Sequence, residues 1–284
     1  MESKTAEVVF ITGASSGIGA ALAIEYAKQG ARLCLFARRG DRLEQIASKC
    51  RQHYLDRSAS TAAENDRVLI CEGDVRQRSD LNKAVAKTRN CFGRIDTVIA
   101  NAGFSIGGRF EQLSSDDYRQ VFETNVFGVI ETVYSTFEEL KLNRGRIAIL
   151  GSVNSYVSLP KSSPYCMSKF AVRALADSLY YEFLKYGISV TLICPGLVES
   201  EIRRLDTSGR FDPFQIDRVP KWLTMPSDRA ARKIVRAVKK RKRELILTIH
   251  GRMGIFFIRH WPGFMAPFLK LANGIRWRSE KESL

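Results

Sequence analysis

The chain has 284 residues, of which 45% are apolar and 26% charged, too much hydrophobic material for a disordered protein and enough for one large core. Its net charge is +15 at pH 7, but residues 201–284 hold 20 of the 45 basic and 8 of the 30 acidic side chains, so most of the excess lies in the C-terminal third. Six cysteines without a CxxC pair or zinc-ligand spacing argue against a metal site and fit a reducing compartment.

Short aliphatic runs at Val8–Thr12, Arg32–Ala37, 68–73, Thr97–Ala100, Arg146–Leu150, Ser189–Cys194 and 245–247 alternate with amphipathic helical stretches. The runs lack polar alternation, so both faces of each strand are expected to be buried. That predicts an α/β, doubly wound Rossmann fold, with a parallel sheet of about seven strands and helices in the crossovers, over residues 1–250. Residues 57–66 are Ser/Ala-rich and read as a surface loop. Residues 200–226 include Pro213 and Pro220 and read as a substrate lid outside the layers.

From Ser227, an N-cap candidate, residues 229–243 read as a basic helix with a narrow apolar stripe of Ala230, Ile234, Ala237 and Val238. Residues 251–284 form a basic, aromatic C-terminal extension, with Phe256, Phe257, Trp261, Phe264, Phe268 and Trp277 among Arg and Lys. Truncation after Arg243 is expected to leave the chemistry intact. No uncharged apolar run reaches about 18 residues, and polar Met1 to Glu7 lacks the pattern of a secretory signal. The expected location is cytoplasmic, or peripheral on a cytoplasm-facing membrane.

Thr12-Gly13-Ala14-Ser15-Ser16-Gly17-Ile18-Gly19 follows the first strand and opens a helix, where a tight turn lets a phosphate approach backbone amides and the helix dipole. The second strand ends Ala37-Arg38-Arg39. An acid at that end would bind a free ribose 2′-hydroxyl, whereas Ala37 followed by arginine suits a 2′-phosphate. NADP(H) is therefore the expected cofactor, and NAD(H) the alternative. Tyr165 and Lys169 are four apart, one helical turn on one face, and Ser152 ends a buried strand thirteen residues before the tyrosine. A neighbouring ammonium favours a phenolate, and a nearby serine could hold the same substrate oxygen.

Taken together, these motifs resemble those of the short-chain dehydrogenase/reductase family from about Val8 to Ser200, with TGxxxGxG at Thr12 to Gly19, Asp74, Asn101-Ala102-Gly103, Asn125, Ser152, Tyr165 with Lys169, and Pro195-Gly196-Leu197-Val198. The resemblance implies catalytic roles for Asn125, Ser152, Tyr165 and Lys169. Tyr165 would exchange the proton, Lys169 would tune it and bind the nicotinamide ribose, Ser152 would orient the substrate, and Asn125 would hold a relay water. Implied cofactor contacts are Gly13, Ser15, Ser16, Gly17, Ile18, Gly19, Arg38, Arg39, Asp74, Val75, Asn101, Ala102, Gly103, Tyr165, Lys169, Pro195, Gly196, Val198 and Ser200. Three positions depart from common family choices: Ala100 before the NAG, Gly151 before the serine, and Ser200 where Thr is usual.

Extensions similar to residues 251–284 occur in membrane-associated ketoreductases and hydroxysteroid-type dehydrogenases. The expected activity is NADPH-dependent reduction of a ketone on a hydrophobic substrate. The alternatives are an NADP-dependent hydroxysteroid-type dehydrogenase and a non-catalytic dinucleotide-binding regulator. Further expectations are a homodimer or homotetramer and, for the tail, either packing of its aromatics on the enzyme's own body or a second subunit with the charges merely solvated, or peripheral membrane contact through residues 229–284, with nucleic acid disfavoured for want of a motif.

Overall fold

The computed structural model describes residues 6–55, 67–199, 223–261 and 263. Seven parallel strands, β1 (Val8–Thr12), β2 (Arg32–Ala37), β3 (Val68–Glu72), β4 (Thr97–Ala100), β5 (Arg146–Leu150), β6 (Ser189–Cys194) and β7 (Glu244–Ile246), form one sheet in the order β3-β2-β1-β4-β5-β6-β7. All residues of β1 and β4 are buried, as their unbroken apolar runs require.

The strand alternation divides the core. Val9, Ile11, Leu33 and Leu35 face helices α1 (Gly17–Lys28), α2 (Gly40–Leu55) and α7 (Ser227–Lys239). Phe10, Phe36, Val98 and Ile147 face α3 (Arg78–Phe92), α5 (Gly128–Leu142) and α6 (Ser163–Glu182) on the other side. Truncating a central side chain such as Phe10, which has no solvent exposure, would cost about 3–5 kcal/mol. The chain reverses its winding direction between β1 and β4, so a crevice opens beyond their C-terminal ends.

Helix α4 (Ser115–Phe122) runs through a π-helical turn at Glu123–Phe127 into α5, with right-handed helical backbone at both junctions. Helix α8 (Ile249–His260) follows β7 and is capped by Thr248, whose hydroxyl accepts the Gly251 amide.

The strand expectations hold to within a residue: β3 stops at Glu72, and β7 occupies 244–246 rather than 245–247, with Leu247 still bonded to the Cys194 carbonyl. Ser227 is not an N-cap, because it is already helical behind Pro226. The buried face of α7 is wider than the predicted stripe and includes Ala231 and Val235, since the helix packs along α1. It ends at Lys239, and the basic run that follows is not merely solvated. Arg241 donates to the carbonyls of Arg144, Gly145 and Gly187, and Arg243 bonds Asp177 and the Tyr181 hydroxyl.

Truncation after Arg243 would remove an edge strand and α8, so the extension is not separable there. The loop at 57–66, the lid segment from 200 to 222 and the aromatics Phe264, Phe268 and Trp277 lie outside the described residues. Among the described residues no helix is long and apolar enough to cross a membrane.

Candidate active site

The turn after β1 is shaped by close backbone contact. Gly13 has φ +66°, and a Cβ on it would lie 2.8 Å from Cα of Ala102; one on Gly19 would lie 2.3 Å from the Gly13 carbonyl oxygen. No larger residue fits either place without moving main chain. Asn101 fastens the turn to β4: its side-chain amide donates to the carbonyls of Thr12 (3.0 Å) and Gly13 (3.2 Å). The Thr12 hydroxyl accepts the backbone amides of Asn101 and Ala102.

At the start of α1, Ser16 is extended and makes no side-chain cap, and the first turn carries no acid. Its amides are thus left for an anion, with the helix dipole behind them. Arg39 reaches across from the end of β2 and donates to the hydroxyls of Ser15 (3.0 Å) and Ser16 (2.8 Å). Arg38 is exposed. The glycine cradle, the uncapped helix and the guanidinium make a donor set that fits a dinucleotide phosphate group.

Asp74, beyond β3, is bonded to the Arg76 guanidinium and backbone amide. Burial by itself would raise its carboxyl, but the hydrogen bonds and charge of Arg76, helped by the charge of Arg38, outweigh this and hold it below the usual value. The Val75 side chain is buried in the core, leaving its main chain as the part able to meet a ligand.

Lys169 stands one turn after Tyr165 on α6, as the spacing requires. Its ammonium is buried, donates to the Leu150 carbonyl at 2.7 Å and lies 5.6 Å from the Tyr165 ring centroid. Burial pushes the lysine down to about 8. Leu150 ends β5, two residues before Ser152, so the same lysine ties the tyrosine's helix to the serine's strand. Ser152 is buried; its hydroxyl accepts the Asn154 amide at 3.1 Å and its own amide donates to the Ser155 hydroxyl. Gly151 precedes it because a Cβ there would meet Leu192 and the Ser155 hydroxyl at 3.0 Å.

Asn125 lies inside the π-helical turn, a backbone irregularity that recurs at functional sites. Its side chain is fully buried, with Oδ1 accepting the Phe104 amide and Nδ2 donating to the Phe104 carbonyl and the Ser168 hydroxyl. Both amide hydrogens are committed, so a water at this residue could only donate to it.

Pro195, Gly196 and Val198 follow β6; the Pro195 carbonyl accepts the Val153 amide, and Val198 is buried and bridges Met225. Ser200 lies outside the described residues. Sequence reasoning gave no role to Ser155, Ser168 or Phe104. No local signal marks them, because each acts by meeting a residue distant in the chain or through main-chain atoms.

Residues 7–210 match the family profile described as short chain dehydrogenase. The chain is 36% identical over 211 residues to the 11-beta-hydroxysteroid dehydrogenase A of Arachis hypogaea, an alignment covering 74% of this chain and 56% of that one. It therefore spans little more than half of that plant relative. It is also 31% identical over 258 residues to the dehydrogenase/reductase SDR family protein 7-like of Dictyostelium discoideum, covering 90% of this chain and 78% of the relative.

Among solved structures, an alcohol dehydrogenase from the archaeon Thermococcus sibiricus complexed with 5-hydroxy-NADP superposes with a TM-score of 0.70 at 29% identity, over 85% of this chain and 95% of that chain. A short-chain dehydrogenase from Streptomyces avermitilis gives 0.75 at 22% identity, over 97% of this chain and 100% of the other, a likeness of fold alone.

Proposed function

Because this chain belongs to the short-chain dehydrogenase family, NAD(P)-dependent oxidoreductases acting on alcohol or carbonyl groups, we propose that it reduces a ketone of a hydrophobic substrate with NADPH. The observation that carries the reading is the buried Lys169 ammonium beside Tyr165, tied to the strand that delivers Ser152. Bound NADPH would supply the hydride.

In this reading the Tyr165 hydroxyl gives its proton to the carbonyl oxygen, and the Lys169 charge favours the phenolate left behind. The Ser152 oxygen accepts the Asn154 amide, which leaves its hydrogen to donate to the same carbonyl oxygen and hold it for the transfer. Asn125 offers only acceptors to a relay water, and keeps the loop after β4 against α6 through Phe104 and Ser168. In oxidation the proton moves the other way.

The preference for NADP(H) over NAD(H) rests on Arg39, anchored over Ser15 and Ser16, with exposed Arg38 beside it and Ala37 in place of an acid. The archaeal neighbour's 5-hydroxy-NADP is in keeping with it. A hydrophobic substrate is supported by exposed Phe110 and Leu159 on the loops after β4 and β5, which meet where the Gly108 amide bonds the Lys161 carbonyl. The relatives' names favour a hydroxysteroid as the second reading.

The test is NADPH and NADH consumption across a panel of lipid and steroid ketones. Turnover with NADPH on at least one is expected, and binding without turnover on all would instead favour a dinucleotide-binding regulator.

Two assembly proposals accompany this. Exposed Ile249, Met253, Phe256 and Trp261 on and just after α8, next to Arg252 and Arg259, suit contact with an anionic membrane surface, to be read by sedimentation with anionic liposomes. Exposed Tyr134 on α5 and Met167, Phe170 and Tyr181 on α6 suit a homo-oligomer, to be read by light scattering.

A further inference from the structure

We propose that helix α8 is a strut of the active site, with His250 positioning the turn after β6 and Arg259 positioning the loop that carries Ser152. This rests on the proposed reaction at Ser152 and Tyr165. The sheet ladder ends at Leu150 in β5 and Cys194 in β6, so the residues beyond, Ser152 to Tyr156 and Pro195 to Val198, must be held by something other than strand pairing. They hold one another at one point, where the Val153 amide donates to the Pro195 carbonyl at 2.9 Å. Met225 bonds Leu197 and Glu199 from one side and α6 reaches Asn154 and Ser155 through Cys166 and Arg173, and the remaining support comes from α8.

The cap of α8 presses on the turn after β6. Thr248 is buried, and a Cβ on Gly196 would collide with its hydroxyl oxygen, so glycine lets the Thr248 side chain lie against the turn. The same imaginary Cβ would lie 3.1 Å from Nε2 of His250, and that nitrogen is 3.5 Å from the Leu197 amide, positioned to accept its hydrogen.

The body of α8 presses on the loop after β5. A Cβ on Gly251 would lie 2.6 Å from a Val153 methyl, directly after Ser152. Farther along the helix, the Arg259 guanidinium lies 5.4 Å from the Tyr156 ring centroid. Tyr156 is not isolated: its hydroxyl donates to Glu244 of β7, and Arg173 of α6 stacks 3.9 Å from the ring centroid. Arg173 also donates to the Ser155 carbonyl, and the Ser155 hydroxyl receives the Ser152 amide. Arg259 therefore acts on Ser152 through three intermediate residues, Tyr156, Arg173 and Ser155, and His250 acts on the cofactor-side turn through one backbone amide. Loops that carry chemistry depend on such support for their precision.

The experiment uses the full chain and reads amide hydrogen exchange without cofactor, alongside NADPH affinity and steady-state kinetics. For His250→Ala, faster exchange at Leu197 is expected, with NADPH affinity lower by about tenfold and kcat changed by less than about twofold, as befits loosening short of a full 1 Å displacement. His250→Gln, which restores an acceptor, should recover both. For Arg259→Ala, exchange should rise across residues 153–157 and kcat should fall about fivefold at unchanged NADPH affinity, with Arg259→Lys recovering part of the loss.

Unchanged exchange at both loops would overturn the proposal, as would a uniform rise over the whole sheet with parallel losses in kcat and affinity, which would mark a merely structural helix. Local loosening in a protein that turns over no carbonyl would sink the reaction and leave the strut standing. Full turnover in variants with unchanged exchange would sink the strut and leave the reaction.

Discussion

The glycine-rich turn after β1 and the helix after β7 both lean on loops beyond the C-terminal ends of the sheet, but they are held there by contacts of different reach. The turn is fixed close to main chain: the short side chains of Thr12 and Asn101 bond carbonyls and amides of Thr12, Gly13, Asn101 and Ala102, and the packing is so close that side chains are excluded at Gly13 and Gly19. Helix α8 is fixed by side chains drawn from distant elements, with Arg259 reaching Tyr156 and His250 reaching Leu197. The first arrangement tolerates almost no substitution, while the second should yield gradually, contact by contact.

Substitutions in and between the two regions test that contrast. The largest effect is expected where the two loops converge on chemistry: Tyr165→Phe should lower kcat by at least about a thousandfold while leaving NADPH affinity within about twofold. A smaller kinetic loss would mean that another group moves the proton. Gly19→Ala, which drives a methyl into the Gly13 carbonyl, should weaken NADPH binding by about a hundredfold or more, because the cradle itself must shift. Isothermal calorimetry reads this directly, and retained affinity would show that the turn is softer than its contacts imply.

Arg39→Ala should cost NADPH about tenfold in affinity and NADH little, the loss expected for charge-assisted hydrogen bonds to a phosphate. Arg38→Asp should also lower the NADPH to NADH efficiency ratio, and an unchanged ratio in both variants would remove the assignment of the 2′-phosphate.

A separate effect concerns stability and not binding. Below pH about 8 Lys169 is protonated in both folded and unfolded chains, and its burial penalty is fully present. Between about 8 and the ordinary 10.5 the folded protein releases the proton while the unfolded chain keeps it. The group's contribution to stability therefore rises with pH across that window, by at most about 1.4 kcal/mol per unit. Lys169→Met should flatten the rise, measured as urea midpoints of the cofactor-free protein at about pH 7 and about pH 9.5.

The same contrast explains what the sequence disclosed. Seven strands and their direction were legible because burial on both faces leaves an unbroken apolar run, as in Val8–Thr12 and Ser189–Cys194. Gly13, Gly19, Tyr165 and Lys169 were legible because turn geometry and helical spacing are local. That Arg39 rather than Arg38 reaches Ser15 and Ser16 was not, since the two are neighbours in the chain and only the path of the chain after Ala37 decides which one faces the turn. Packing of the extension on the body could be raised from the sequence as one of two readings, but the residues that make the contact could not. Thr248, His250 and Gly251 look unremarkable in sequence, and their meaning comes from Gly196 and Val153 about 50 and 100 residues away.

The π-helical turn at Asn125 has a consequence for how this protein can change. Helices α4 and α5 are a single rod with a phase slip in the middle. The residues of the π-helical turn at Glu123–Phe127 advance about as far round the axis as one residue fewer would in an α-helix, so the chain carries an extra residue there while Val129, Val133 and Leu140 still face the sheet. Loss of that one residue would restore a plain helix and spare the sheet contacts, so what holds the irregularity in place is the position from which Asn125 meets Phe104 and Ser168.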